Sequence, residues 1–308
     1  MKDEGSSASL RVSQGKLSFA NPVLLASGCA SFGEPFEGLT QLARVGALVT
    51  KAVTANPRAG NAPVRILETP GGMMNCIGLQ NPGVDAFASD ILPRLRQSGV
   101  TIIVNVAGHS EEEYESVVQQ LEAEEGIYAY EINLSCPNVD GGTVFATDPV
   151  LFGRVCERLR RVTERRLMPK LSPEAGDLAP YGLIALGAGM DGVTVCNTHP
   201  AMALDWRTGR SKLARPVAGL SGPALKPITL HKVRQVAAAV PELPIIASGG
   251  ATCATDVVEF IRAGALAVEF GTALFHDPAL PEKIVGELPK LLAECRVESP
   301  DDLRGRLG

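Results

Sequence analysis

The chain has 308 residues, 45% of them hydrophobic and 20% charged, with a formal net charge of −5. That length supports one large α/β domain or two ordinary ones, and the acidic balance argues against a nucleic-acid or anionic-membrane surface. No apolar run reaches the roughly 18 residues that a membrane span needs, and the polar segment Met1–Gln14 resembles neither a signal peptide nor an amphipathic anchor.

Apolar, β-branched runs alternate with amphipathic stretches along the chain. The first runs are Pro22–Ser27, Ala47–Val53 and Thr101–Val106. Glu111–Glu124 follows, with apolar residues at helical spacing among carboxylates. After the run Tyr128–Leu134, the segment Asp148–Arg161 opens on Asp-Pro and ends in basic residues, which suits a helix dipole. Met168–Leu171, Gly192–Cys196 and Pro244–Ala247 are the next apolar runs. Thr255–Ala263 reads as a helix stopped by Gly264, and Ala265–Phe270 is the last run. Near-continuous apolar runs mark strands covered on both faces, as in a parallel sheet.

Eight β–α units in this length predict a (β/α)₈ TIM barrel, one domain over residues 1–308. A doubly wound sheet would call for a G-x-G-x-x-G turn after the first strand, which Ser27-Gly28-Cys29-Ala30-Ser31-Phe32-Gly33 does not supply. Thr54–Val100 and Thr198–Leu243 are too long for one helix each. Each is predicted to hold a helix plus an excursion over the C-terminal face, where barrels place functional loops. The cysteines Cys29, Cys76, Cys136, Cys156, Cys196, Cys253 and Cys295 contain no C-x-x-C pair. Zinc or iron–sulfur ligation within the chain is therefore not expected, and a reduced cytoplasmic enzyme without a metal fits better than a disulfide scaffold.

Chemistry in a barrel sits at the C-terminal ends of strands, and here those ends are polar. The fourth run leads into Asn133-Leu134-Ser135-Cys136-Pro137-Asn138, where Pro137 stops the strand and two carboxamides flank a thiol. Two readings stand for Cys136: a base or nucleophile facing a planar polar substrate, or a buried structural thiol. Lys51 and Lys170 end the second and fifth runs. Together they would set up a positive field for an anionic substrate or a cofactor that gains negative charge, although either alone could snorkel to water. Gly249-Gly250 and Gly271-Thr272 follow the last two strands, where barrels often bind phosphate, and Gly219-Leu220-Ser221-Gly222-Pro223 could close over the same group. Met73, Met74 and Ile77 could shield the site, with Asn75 pointing into its mouth; gap-filling in the core is the plainer reading of the methionines. His109 reads as part of a helix start; His199, following Asn197-Thr198, could sit near the mouth, although a loop histidine usually faces solvent.

These segments, in this order, resemble the family 1 dihydroorotate dehydrogenases over nearly the whole chain. The matching stretches include Val49-Thr50-Lys51-Ala52, Asn75-Cys76-Ile77-Gly78-Leu79-Gln80-Asn81-Pro82-Gly83, Asn133-Leu134-Ser135-Cys136-Pro137-Asn138-Val139 and Lys170-Leu171-Ser172-Pro173. The resemblance implies FMN in a TIM barrel and oxidation of (S)-dihydroorotate to orotate in pyrimidine biosynthesis. It implies that Cys136 is the base removing the C5 proton while the C6 hydride passes to the flavin. FMN contacts are implied for Ser27, Lys51, Ala52, Asn105, Asn133, Lys170, Cys196, Gly222, Gly249, Gly250, Gly271 and Thr272. Substrate contacts are implied for Lys51, Asn75, Cys76, Ile77, Gly78, Leu79, Asn133, Asn138, Asn197 and Thr198.

Cys136 and the polar N-terminus are unlike the membrane-associated family 2 enzymes, whose base is serine. Gly141-Gly142-Thr143-Val144-Phe145-Ala146-Thr147-Asp148-Pro149 is similar to the B-type pattern. B-type catalytic subunits form a dimer within a heterotetramer, with a partner subunit carrying FAD and a [2Fe–2S] cluster that passes electrons to NAD⁺. A fumarate-linked enzyme and a flavin-dependent dihydropyrimidine dehydrogenase are the alternatives. Two departures stand out: Asp140 alone separates Val139 from Gly141, and His199-Pro200 replaces the usual small apolar continuation.

Overall fold

The structure, a computed structural model, describes residues 9–135 and 145–308. Each of the eight apolar runs overlaps a barrel strand, with ends that differ by a few residues. They are β1 (Val23–Leu25), β2 (Ala47–Val49), β3 (Ile102–Ala107), β4 (Ile127–Asn133), β5 (Arg166–Lys170), β6 (Val193–Val195), β7 (Ile245–Ser248) and β8 (Ala267–Phe270). All neighbouring pairs are parallel, and the barrel closes through the pairing of Thr194 on β6 with Lys170 on β5. The chain is thus a (β/α)₈ barrel.

Residues of β1, β2, β6, β7 and β8 are all buried, which explains why their sequences run apolar instead of alternating. The outward-facing side chains pack under the helices in one cluster that includes Leu25, Leu48, Val104, Tyr130 and Val268. The inward-facing ones, Leu24, Val49, Ile103, Ala129, Met168 and Ile246, form a second cluster. A feature absent from the sequence reading completes that second core. Val12–Gln14 and Leu17–Phe19 form an antiparallel hairpin whose Val12, Leu17 and Phe19 plug the N-terminal end of the barrel. Arg166 at the start of β5 donates to Lys16 O at 2.7 Å, and Tyr128 at the start of β4 donates to Ser18 O at 3.0 Å. The hairpin therefore seals one end and leaves the other for chemistry.

The predicted helices differ from the observed ones only at their ends. Glu111–Leu121 starts at Ser110, whose side chain accepts from Glu113 N, with three acidic residues in its first turn. Pro149–Arg160 is capped by Asp148, which accepts from Val150 N and Leu151 N. Ala254–Ala263 stops at Gly264, where φ is 120°.

Both long intervals make excursions, and the two excursions join. Ile66–Thr69 and Gly72–Asn75 from the first pair with Ala218–Ser221 and His199–Ala201 from the second in one four-stranded antiparallel sheet. Met74 is buried with Cys76, Leu213 and Ala218 between its strands, so this methionine fills a core. Asn81 fastens the base of the first excursion: its side chain accepts from Thr54 N at 3.2 Å and Gly83 N at 2.8 Å.

Candidate active site

The C-terminal mouth of the barrel and the excursion sheet above it enclose a cavity of about 1330 Å³. Ligand pockets commonly span about 300–1,000 Å³, so this one has room for more than a single small molecule. Strand ends supply its floor and walls: Ser27 after β1, Lys51 and Ala52 after β2, Asn105 on β3, Asn133 on β4 and Lys170 on β5. Cys196, Asn197 and Thr198 follow β6, Gly249 and Gly250 follow β7, and Gly271 and Thr272 follow β8. Asn75, Cys76, Ile77, Gly78 and Leu79 reach the cavity from the first excursion and Gly222 from the second. Cys136 and Asn138 lie outside the described residues.

The carboxamides form a connected edge. Asn197 Nδ2 donates to Asn133 Oδ1 at 3.0 Å, and Asn197 Oδ1 accepts from Thr198 N at 2.8 Å. Asn75 Nδ2 donates to Gly219 O at 3.4 Å, across the excursion sheet. Such an edge offers donors and acceptors without charge. Lys51 is half-buried and forms no ion pair among the described residues. Burial, then the nearby Arg65 charge, pulls its pKa below the ordinary lysine value. An anion brought to Lys51 would relieve both effects.

Gly250 and Gly222 show why glycine is needed here. Gly250 has φ 88°, and a Cβ on it would lie 2.3 Å from Lys226 N, where the helix Lys226–Ala239 begins. Gly222 has φ 117°, and its Cβ would lie 2.5 Å from Gly72 Cα, where the two excursions cross. The turn after β7 thus lies against a helix N-terminus, an arrangement that suits a phosphate. Asp256 holds that turn: its carboxylate accepts from Thr252 N at 2.6 Å, Cys253 N at 3.2 Å and Lys226 Nζ at 2.5 Å. Thr272 Oγ1 donates to Ser221 Oγ at 2.8 Å and ties the end of β8 to the second excursion.

Lys170 departs from expectation. It is not a free positive charge at the mouth. Its ammonium lies 3.3 Å from Glu131 Oε1 and 3.1 Å from Glu269 Oε2, all three residues being buried. The two carboxylates are the residues that pattern reading missed. Each stands inside an apolar run, and a charged residue in such a run is the signal that could have found them. Glu131 also accepts from Asn105 Nδ2 and Thr194 Oγ1, both at 2.7 Å. Burial acts to raise its pKa, but the Lys170 charge and these hydrogen bonds bring it below the ordinary value. Burial and the neighbouring Glu131 push Glu269 up. Lys170 is raised: burial opposes its charge, but the two carboxylates outweigh it.

His109 and His199 both line the cavity, the latter as one reading of its place after Asn197-Thr198 allowed and the former against expectation. His109 lines it, bonded through its ring to Arg58, whose Nη2 also lies 3.0 Å from Glu113 Oε1. His199 is half-buried, its Nε2 4.0 Å from Cys196 Sγ. Burial and then the Lys232 charge lower its pKa. Burial pushes the thiol of Cys196 up to about 12 and that of Cys29 up to about 11, so both are neutral near pH 7.

A flavin mononucleotide fits what these residues present. Asn105 Oδ1 and Ser135 Oγ are buried, line the cavity and have no hydrogen-bond partner among the described residues. A ring with polar edges would satisfy such groups, the glycine turns would take a phosphate, and the volume leaves space for a second planar ligand. Among the described residues no group of acidic, cysteine or histidine side chains could hold a metal, and no helix is long and apolar enough to cross a membrane.

Comparison with known proteins places the chain. Residues 9–292 match the family profile described as dihydroorotate dehydrogenase. Similar curated relatives carry the name dihydroorotate dehydrogenase B (NAD(+)), catalytic subunit. The protein from Trichlorobacter lovleyi is 44% identical over 97% of this chain and 98% of its own length. That from Desulforudis audaxviator is 44% identical over 94% of each. That from Bacillus cereus is 42% identical over 96% of each.

Proposed function

The chain belongs to the dihydroorotate dehydrogenase family, and we propose that it oxidises (S)-dihydroorotate to orotate as the catalytic subunit of an NAD⁺-linked enzyme. The observation that carries this reading is the composition of the one mouth. A Lys51 with no ion pair among the described residues, a carboxamide edge and a glycine turn at a helix N-terminus share a cavity large enough for a cofactor and a substrate.

Lys51 is the anion partner for the substrate carboxylate. Asn75, Asn133, Asn138 and Asn197, with Thr198, match the alternating donors and acceptors of a dihydropyrimidine ring. Cys76, Ile77, Gly78 and Leu79 pack beside it and limit access of water. Cys136, three residues past Asn133, takes the proton from C5; a thiolate is competent for this, and loss of a general base typically slows a step by about 10²–10⁴-fold. Bound FMN supplies the acceptor for the C6 hydride. Ser27, Ala52, Asn105, Asn133, Lys170 and Cys196 would hold its ring system, and Gly222, Gly249, Gly250, Gly271 and Thr272 its phosphate end. The relatives' names, with NAD(+) and catalytic subunit in them, support a division of labour with a partner subunit; that partner would carry FAD and a [2Fe–2S] cluster and pass the electrons to NAD⁺. This chain would act in the cytoplasm as a dimer within that assembly.

Anaerobic titration tests the proposal. The purified protein should be yellow, release FMN on denaturation and bleach with dihydroorotate. NAD⁺ should reoxidise it only when the partner is added. A colourless protein that takes up no FMN, or one that bleaches with uracil-like dihydropyrimidines and not with dihydroorotate, would overturn the assignment.

A further inference from the structure

The floor of the cavity holds more charge than the proposed reaction uses. Glu131 on β4, Lys170 on β5 and Glu269 on β8 meet inside the barrel, and Lys170 and Glu269 line the cavity itself. One ammonium therefore stands against two carboxyls, which crowd the same Nζ at 3.3 and 3.1 Å. The surrounding groups are neutral: Asn105 and Thr194 donate to Glu131, the Ser248 hydroxyl is beside Glu269, and the nearby thiols of Cys29 and Cys196 are protonated. Two ionised carboxylates on one ammonium would leave this buried cluster with a net negative charge, and like charges held so close do not both ionise readily. The donors decide where the proton sits. Among the described residues Glu131 receives Lys170, Asn105 and Thr194, whereas Glu269 receives Lys170, with Ser248 beside it.

We propose that Glu131 and Glu269 share one excess proton, carried mainly by Glu269, and that this proton couples the redox state of the bound flavin to pH. The inference rests on the FMN reading above. With Lys170 balanced by Glu131, the floor beneath the cofactor is neutral while the proton is held and negative once it is lost. Two electrons and one proton leave reduced FMN anionic. At a pH where the pair has released its proton in the oxidised protein, that new negative charge draws a proton from solvent back to the carboxyls. Reduction then consumes two electrons and two protons. Each proton taken up changes the equilibrium constant for reduction tenfold per pH unit, about 30 mV for a two-electron couple.

Two measurements on the FMN-loaded protein decide this. The midpoint potential, followed against pH, should fall twice as steeply across the titration of the pair as on either side of it. In Glu269→Gln, which keeps the shape of a protonated carboxyl and cannot ionise, the steep segment should vanish. The potential should then stay at least tenfold in equilibrium constant, about 30 mV, above wild type on the alkaline side. The infrared spectrum of the wild-type protein near pH 7 should show a buried carboxylic-acid C=O band that E269Q removes. The wild-type slope and band decide the matter even if the variant does not fold. A potential–pH profile in E269Q parallel to that of wild type, or no such band in wild type, overturns the shared proton. Failure to bind FMN overturns the parent reading instead, and the band in the flavin-free protein still decides whether the proton is there.

Discussion

Replacing Lys170 with methionine tests the charge arrangement inside the barrel. The substitution keeps the unbranched stem, one atom shorter, and removes the only cation in contact with Glu131 and Glu269 among the described residues. Glu131 is fully buried and does not line the cavity, so without Lys170 it must also take a proton. Holding a carboxyl neutral at pH 7 against an ordinary pKa of about 4.3 costs about 4 kcal/mol. Breaking a buried pair by removing one partner costs about 3–5 kcal/mol, in agreement. In wild type Glu131 lies below its unfolded value and stabilises the fold above that value, a contribution lost as pH falls through the lowered pKa. In the variant its folded pKa is raised instead, so the cost is absent in acid and grows as pH rises. The gap between Lys170→Met and wild type, measured by urea unfolding after flavin is stripped from both, should be about 3–5 kcal/mol at pH 7. It should narrow by about 1.4 kcal/mol per pH unit toward pH 5. Adding Glu131→Gln should restore part of the loss. A gap under about 1 kcal/mol at pH 7, or one that does not change with pH, would refute the reasoning.

The other predictions concern the mouth and its supports. Cys136→Ser should slow flavin reduction by dihydroorotate about 10²–10⁴-fold near neutral pH without lowering flavin content; an unchanged stopped-flow rate removes Cys136 as the base. Gly250→Ala forces a β-carbon against the start of a helix in a left-handed backbone conformation, and strain of that kind costs about 1–3 kcal/mol. It should lower thermal stability and weaken FMN retention together, and normal FMN affinity would count against the phosphate turn. Asp256→Ala removes the acceptor for Thr252 N, Cys253 N and Lys226, and should cost about 1–3 kcal/mol in urea unfolding while raising the FMN dissociation constant. His199 should titrate below 6.5 by NMR, with Lys232→Met moving it back toward that value, because Lys232 is the second cause of the shift after burial. Its contribution to stability should be present above the unfolded pKa and lost as pH falls through the lowered one.

What was legible in the sequence follows from what a barrel must do. Eight buried strands need eight apolar runs, and polar groups gather where those runs stop, so Lys51, Asn133, Asn197 and the glycines after β7 and β8 stood out without any structure. Three things did not. The plug Val12–Phe19 has strands too short to carry a period, and only the shape of the barrel end makes it necessary. The joining of the two excursions depends on pairing Asn75 with Gly219 across 144 positions of chain, which no local pattern encodes. The third was charge. A reading that looks for apolar character treats the carboxylates of Glu131 and Glu269 as interruptions, and so it left Lys170 as a lone cation. In a closed barrel a charged residue within a strand has no outward route to water, and it persists only if another strand supplies its counter-charge. Glu131 and Glu269 therefore imply Lys170 as firmly as Lys170 implies them. Three charged residues in three buried runs should have been read as one cluster, and its net charge as a property of the site.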